Sequence, residues 1–262
     1  MSERDAYPPG VPCWVDILAG DPARAMDFYG RLFGWEFTGP GPGEYYEARL
    51  RGRHVAGVGR HVAGVGAAPQ GAAAWNTYVS VASVEDSVQV AVRAGARVLA
   101  GSFDALPAGR IAVLEDPTGA PICLWEPVQR LGCQLVNEPS AYAMSVLQTH
   151  EQEAAARFYH AVFGWEAEPF APGMTLLRLP GYVGGEPAQP VPRDVVAVMA
   201  TNGEQPRWDV GFWVHDADAL TAAVVELGGR VLAAPSDAGV MRQAVLADPF
   251  GAPFSVTTAP GR

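Results

Sequence analysis

The chain has 262 residues, 49% hydrophobic and 18% charged, which is enough for two ordinary domains and too apolar for general disorder. Lys and Arg number 18 against 28 Asp and Glu, a formal charge of −10, so nucleic acid and anionic membrane surfaces are repelled rather than steered in. No window approaches the ~20 apolar residues of a membrane span, and the N-terminus lacks the basic-then-apolar order of a signal peptide, so a cytoplasmic protein is expected.

Residues 11–18 alternate and are rich in strand formers. Asp21 and Pro22 then supply an N-cap and a first-turn proline for a helix whose inward face carries Ala25, Phe28, Tyr29 and Leu32 and which Gly34 closes. Strands follow at 35–38, 44–51 and 54–58, separated by Gly/Pro turns. Residues 53–66 are two successive copies of one seven-residue segment, read as an extended loop or lengthened strand and given little functional weight. The series then restarts with a strand at 77–81, a helix at 84–94 closed by Gly95, and strands at 97–100, 110–115 and 122–126.

A polar, turn-rich join at 128–140 precedes a second writing of the same text. Phe28 to Glu36 returns as Phe158 to Glu166, identical at six of nine positions, and Asp116 to Pro121 returns as Asp248 to Pro253. Strands are expected at 144–147, 210–214 and 254–257, and helices at 151–163 and 218–227. Two tandem halves follow, residues 11–127 and 141–259 with 128–140 as linker, together four βαβββ modules. The expected class is α+β: cupped mixed sheets with helices outside and a concave face where function would sit.

The Phe-Tyr/Phe-Gly-Trp-Glu signature, the Asp-Pro turns and the βαβββ order resemble the vicinal oxygen chelate superfamily, which includes glyoxalases, extradiol dioxygenases and bleomycin-binding resistance proteins. The fused form resembles two-domain actinobacterial members. The resemblance specifies fold far more than activity. It implies that metal-dependent members carry ligands on the first, fifth and last strands of each half, pointing into the cup. Those positions hold Trp14, Asn76 and Cys123 in the first half and Met144, Asp209 and Ser255 in the second. None is His, and neither set meets the ligand needs of Zn²⁺ or a hard cation, so no metal and no other cofactor is expected.

Because strands alternate sides, residues in phase with those positions line the cups: Trp14, Asp16, Asn76, Tyr78, Cys123 and Trp125, then Met144, Val146, Asp209, Trp213, Ser255 and Thr257. The out-of-phase residues are almost all aliphatic or Phe, as a core face requires. His215, two residues beyond Trp213, is the one histidine expected to reach a ligand. Of seven Trp, Trp35 and Trp165 belong to the fold, Trp75 and Trp208 to a rim or domain interface, and Trp14, Trp125 and Trp213 to the cups. Arg110 with Arg242, and Arg49 with Arg178, recur in matching strands and read as structural ion pairs ahead of substrate anchors. The thiols Cys13, Cys123 and Cys133 are in no disulfide or zinc spacing and read as free.

A Trp-rich cup with Met and a few polar groups suits a flat, largely apolar ligand, and Asp16 or Asp209 would welcome a cationic substituent such as an amino sugar. The leading reading is metal-independent binding of a planar aromatic natural product or antibiotic, for sequestration or to assist its biosynthesis. A cofactor-free isomerase, cyclase or hydroxylase-like enzyme with Asp16 or Asp209 as general base is the first rival. A metal-dependent lyase or dioxygenase and a purely structural protein, whose aromatics merely fill an interface between halves, remain open. Expected partners are a small aromatic ligand, another copy of the chain in a homodimer as the alternative to a monomer, and a biosynthetic enzyme.

Overall fold

The computed structural model describes residues 3–60, 73–184, 192–201 and 205–258. In the first half β1 (Pro12–Ala19) leads to α1 (Pro22–Phe33), then β2 (Glu36–Gly41), β3 (Tyr45–Leu50) and β4 (Arg53–Arg60). The series repeats as β5 (Ala74–Ser80), α2 (Val84–Arg93), β6 (Arg97–Ala105), β7 (Gly109–Glu115) and β8 (Pro121–Pro127). The second half runs β9 (Tyr142–Gln148), α3 (Gln152–Phe163), β10 (Glu166–Ala171), β11 (Met174–Arg178), β12 (Val195–Ala200), β13 (Arg207–Val214), α4 (Ala217–Glu226), β14 (Arg230–Ala238), β15 (Met241–Ala247) and β16 (Pro253–Thr258).

Each half is one eight-stranded sheet, ordered β2-β3-β4-β1-β5-β8-β7-β6 and β10-β11-β12-β9-β13-β16-β15-β14. The tandem α+β duplication expected from the repeat is therefore present, and neither sheet borrows a strand from the other half. Central strands β1 and β5 pair antiparallel while β4 and β8 join them in parallel, which curls the sheet about its middle. Local chemistry sets the helix ends. Asp21 accepts from the Arg24 amide at 3.1 Å with Pro22 behind it, and Gly34 closes α1 at φ 72°. β5 starts three residues before the expected strand, which brings Trp75 and Asn76 into the sheet. The first copy of the seven-residue duplication and Arg60, the first residue of the second, form β4; the rest of the second copy, from His61, lies outside the described residues.

The two halves meet through their helix-bearing faces. Rings of Tyr29, Phe33, Trp35 and Trp75 from the first half pack against Phe212 and Phe254 of the second. Within this core Trp75 Nε1 donates to the Tyr29 hydroxyl at 3.0 Å, which donates to Asp248 Oδ2 of the other half at 3.0 Å. The repeat supplies the twin: Trp208 Nε1 donates to Tyr159 at 2.9 Å, and Tyr159 to Asp116 Oδ2 of the first half at 2.8 Å. The other oxygen of each aspartate accepts backbone N–H groups of its own Asp-Pro turn. Trp35 and Trp165 donate to the Ser140 and Gly10 carbonyls at 2.8 and 2.7 Å. So Trp35 and Trp165 are fold residues, and Trp75 and Trp208 belong to the interface rather than a rim.

The recurring arginines pair in register: Arg110 with Glu85 and Asp104, Arg242 with Asp218 and Asp237. These pairs are exposed and worth at most about 1 kcal/mol each. No helix among the described residues is long and apolar enough to cross a membrane.

Tyr29→Phe and Tyr159→Phe each strip a buried indole N–H of its acceptor and a carboxylate of its donor. Each should cost about 1–3 kcal/mol in urea unfolding, whereas Arg242→Ala should cost under about 1 kcal/mol. Equal effects from the three variants would mean that the inter-half chains do not hold the fold.

Candidate ligand-binding cups

The first cup is a cavity of about 780 Å³ lined by the first half and the join that follows it. All eight residues of β1 are buried, and its alternation aims Trp14 and Asp16 into the cup beside Tyr78 from β5 and Trp125 from β8. Asp16, 1% exposed, accepts from Tyr78 at 2.7 Å and Tyr45 at 3.0 Å on one oxygen and from Asn76 at 2.8 Å on the other. Tyr45 in turn accepts from Trp14 Nε1 at 2.8 Å. Burial pushes the Asp16 carboxyl above its ordinary value, against the pull of these donors and of Arg130.

Tyr45 reaches Asp16 because β4 leaves it room. A Cβ on Gly57 would stand 1.9 Å from the Tyr45 hydroxyl oxygen, and one on Gly59 2.8 Å from its ring. Gly57 and Gly59 of the duplicated segment are thus a bed for a floor residue.

Arg130 is the unexpected member of the site. It comes from the join, and its guanidinium lies 5.1 Å from the Trp14 ring centroid, 5.4 Å from that of Tyr45 and 6.0 Å from that of Trp125. Its Nη2 donates to Glu47, and its carbonyl accepts from Trp125 Nε1 at 2.9 Å. Burial raises the Glu47 carboxyl, but Arg130, with His54 and Arg49, more than offsets this and holds it below its ordinary value. His54 Nε2 stands 3.1 Å from Glu47 Oε2, yet burial, with Arg49 and Arg130 nearby, holds its pKa below the ordinary histidine value.

The second cup, about 350 Å³, holds all six expected residues: Met144, Val146, Asp209, Trp213, Ser255 and Thr257, with Arg4, Met174 and Tyr182 among the walls. Trp213 Nε1 is buried with no hydrogen-bond partner among the described residues.

Several expectations need correction. His215 is exposed just past the end of β13 and lines neither cup. Asp209 is gripped by Arg207 through Nε at 2.7 Å and Nη2 at 3.3 Å, so it is an ion-pair partner rather than an isolated base. Asn76 and Cys123 are buried behind the floor and do not line the cavity; Asn76 braces Asp16 instead. A ligand cation on Trp14 and Asp16, or on Asp209, meets an arginine of this chain already in place. The reading in which cup aromatics fill an interface fails for the first cup, which lies within the first half and the join while Trp75, Trp208 and the signature rings fill the interface; the second cup takes Val11 and Pro12 of the first half into its wall.

The positions at which the resemblance places metal ligands offer no suitable donor set. Trp14 Nε1 and the Asn76 amide are donors already committed to Tyr45 and Asp16, Met144 offers a thioether, and Asp209 is paired. Among the described residues no three His, Cys, Asp or Glu converge, so the set does not fit a divalent metal. Residues missed by the sequence reading are Tyr45, Glu47, His54 and Arg130. Extending the strand-phase argument to β3 would have found Tyr45 and Glu47, but nothing in the join marks Arg130.

The glyoxalase-like domain family matches residues 14–125 and 144–257. The chain is 38% identical to "Putative glyoxylase CFP32" of Mycobacterium tuberculosis, over 98% of this chain and 97% of that one. It is 34% identical to "Anthracycline biosynthesis protein DnrV" of Streptomyces peucetius, over 95% and 94%. Among solved structures, the Mn(II)-bound glyoxalase from Novosphingobium aromaticivorans has a TM-score of 0.66 at 15% identity, over 97% and 83%. The 2,3-dioxygenase LapB from Pseudomonas sp. KL28 also has a TM-score of 0.66, at 13% identity over 97% and 94%, and these two likenesses concern fold alone. With two matched domains, one per half, the chain belongs to the glyoxalase-like family of the vicinal oxygen chelate superfamily.

Proposed function

We propose that the chain binds a planar, polycyclic aromatic small molecule in its first cup, without a metal, and serves the biosynthesis or sequestration of that molecule. The observation that carries this reading is the cup itself: about 780 Å³, inside the roughly 300–1,000 Å³ of small-molecule sites, with Trp14, Tyr45, Tyr78 and Trp125 on its surface. Aromatic walls favour stacking of flat rings. A relative named for anthracycline biosynthesis supports the polycyclic class. The smaller second cup, with Met and Val walls and Asp209 neutralised by Arg207, is the weaker candidate.

Titrating chelator-treated protein with a panel of polycyclic quinones should quench tryptophan fluorescence saturably. Trp14→Phe should weaken binding about three- to tenfold through lost stacking and a lost brace for Tyr45, and Trp213→Phe should leave it unchanged. The reading fails if no compound quenches, or if binding appears only after a divalent metal is added.

A second reading, proton transfer by Asp16, is favoured by the burial of that carboxyl on the cup floor. Its raised pKa has a measurable sign. The native state keeps the Asp16 proton to higher pH than the unfolded chain, so Asp16 ionisation lowers stability as pH rises from near 3.8 to the higher native value. In that acidic window wild type should lose stability with pH relative to Asp16→Asn, followed by urea midpoints at each pH; parallel curves would show that Asp16 titrates normally.

A further inference from the structure

We propose that Arg130 is the specificity residue of the first cup and that it reads a neutral ring carbonyl, so that the ligand is a planar quinone or related polycyclic ketone. The inference rests on the ligand reading above and deepens it. Three observations converge on it.

First, the guanidinium is under-used. Of its nitrogens only Nη2 finds an acceptor, Glu47, among the described residues, and Nε is buried with none. The side chain still keeps 15% of its surface exposed and lines the cavity. Nη1 likewise has no acceptor among the described residues and, unlike Nε, is not fully buried, so it is the nitrogen whose N–H groups a ligand oxygen in the cup would engage.

Second, the group is enclosed by rings. Trp14, Tyr45 and Trp125 surround it, and the Trp125 indole holds the Arg130 carbonyl. A fork of donors held in one plane beside aromatic walls addresses the edge of a flat molecule lying among those walls.

Third, charge excludes the alternatives. Asp16, Glu47 and Asp104 line the same cup, and its other arginine, Arg60, is already paired with Glu44, so a carboxylate or sulfonate on the ligand would meet carboxyl groups near Arg130. An ammonium group would meet the like charge of Arg130, within 5.1–6.0 Å of the Trp14, Tyr45 and Trp125 rings. A neutral carbonyl oxygen accepts from the guanidinium without either repulsion. This replaces the amino-sugar expectation with an uncharged, carbonyl-bearing ring system.

The test compares three probes of one shape by calorimetric titration: hydroxymethyl-anthraquinone, hydroxymethyl-anthracene and anthraquinone carboxylate, each substituted at the same ring carbon. Wild type should bind the hydroxymethyl-quinone about tenfold or more tighter than the hydrocarbon, as expected for a hydrogen bond to a charged donor, and tighter than the carboxylate. Arg130→Met keeps the apolar stem over the rings and removes the donors. It should bring the quinone down to the affinity of the hydrocarbon and leave the hydrocarbon nearly unchanged. Equal binding of quinone and hydrocarbon by wild type, a comparison that needs no variant, would overturn the proposal while leaving the aromatic-cup reading intact. Tightest binding of the carboxylate, or a quinone preference that survives in Arg130→Met, would also overturn it. Binding of none of the three would remove both.

Discussion

The structure depends on a pair of buried hydrogen-bond chains, Trp75 to Tyr29 to Asp248 and Trp208 to Tyr159 to Asp116. An indole N–H, a phenol and a carboxylate sunk in an aromatic core are each expensive unless paired. Each chain draws its members from a fifth strand, a first helix and the other half's Asp-Pro turn. The acceptor for each tyrosine hydroxyl proton, and the donor to Oδ2 of each aspartate, come from the other half. This forces the helix-bearing faces together and leaves each concave face to form a separate cup. The aspartates serve twice, since their second oxygens cap the backbone of the turns that carry them.

With the scaffold held in this way, the cup interiors can differ. The first is roomy, aromatic and acidic, with Asp16 set among Tyr45, Tyr78 and Asn76 and an arginine supplied from outside the sheet. The second is smaller, lined by Met144, Val146 and Met174, and its one carboxylate is answered by Arg207. Where the fold's metalloenzymes would need convergent imidazoles and carboxylates, this chain places an indole, an amide, two thiol or thioether sulfurs, a hydroxyl and an ion-paired aspartate. The first cup retains the aromatic walls and the hydrogen-bonding edge that suit a flat organic ligand. Its charges are largely balanced from within the chain, which shifts recognition from charge to shape and carbonyl placement.

Much of this was legible in the sequence because it was periodic. The duplication announced two sheets, strand alternation separated Trp14, Tyr78 and Trp125 from Val15, Ile17 and Leu124, and the helix caps at Asp21 and Gly34 were plain. The same logic placed all six second-cup residues. It failed where side chains act over long sequence separations. The Tyr29 to Asp248 bond joins motifs that were each recognised but could not be connected without coordinates. Arg130 sits in a segment with no periodicity, and its position depends on Glu47 and three rings brought together only by folding. Asp209 looked like a free acid because its partner two residues earlier lies on the same strand face, a local pairing that the cup reading overlooked. His215 was placed by phase, but the strand ends before it.

The central claim is that the first cup holds a flat aromatic ligand against Trp14 and Arg130 without a metal. A crystal structure of chelator-treated protein grown with a polycyclic quinone tests it most directly. The account predicts one ligand per chain in the first cup, its rings among Trp14, Tyr78 and Trp125 and a carbonyl oxygen within hydrogen-bond distance of the Arg130 guanidinium. A ligand seated between the halves or in the second cup, or one bound through a metal at the cup floor, would contradict it.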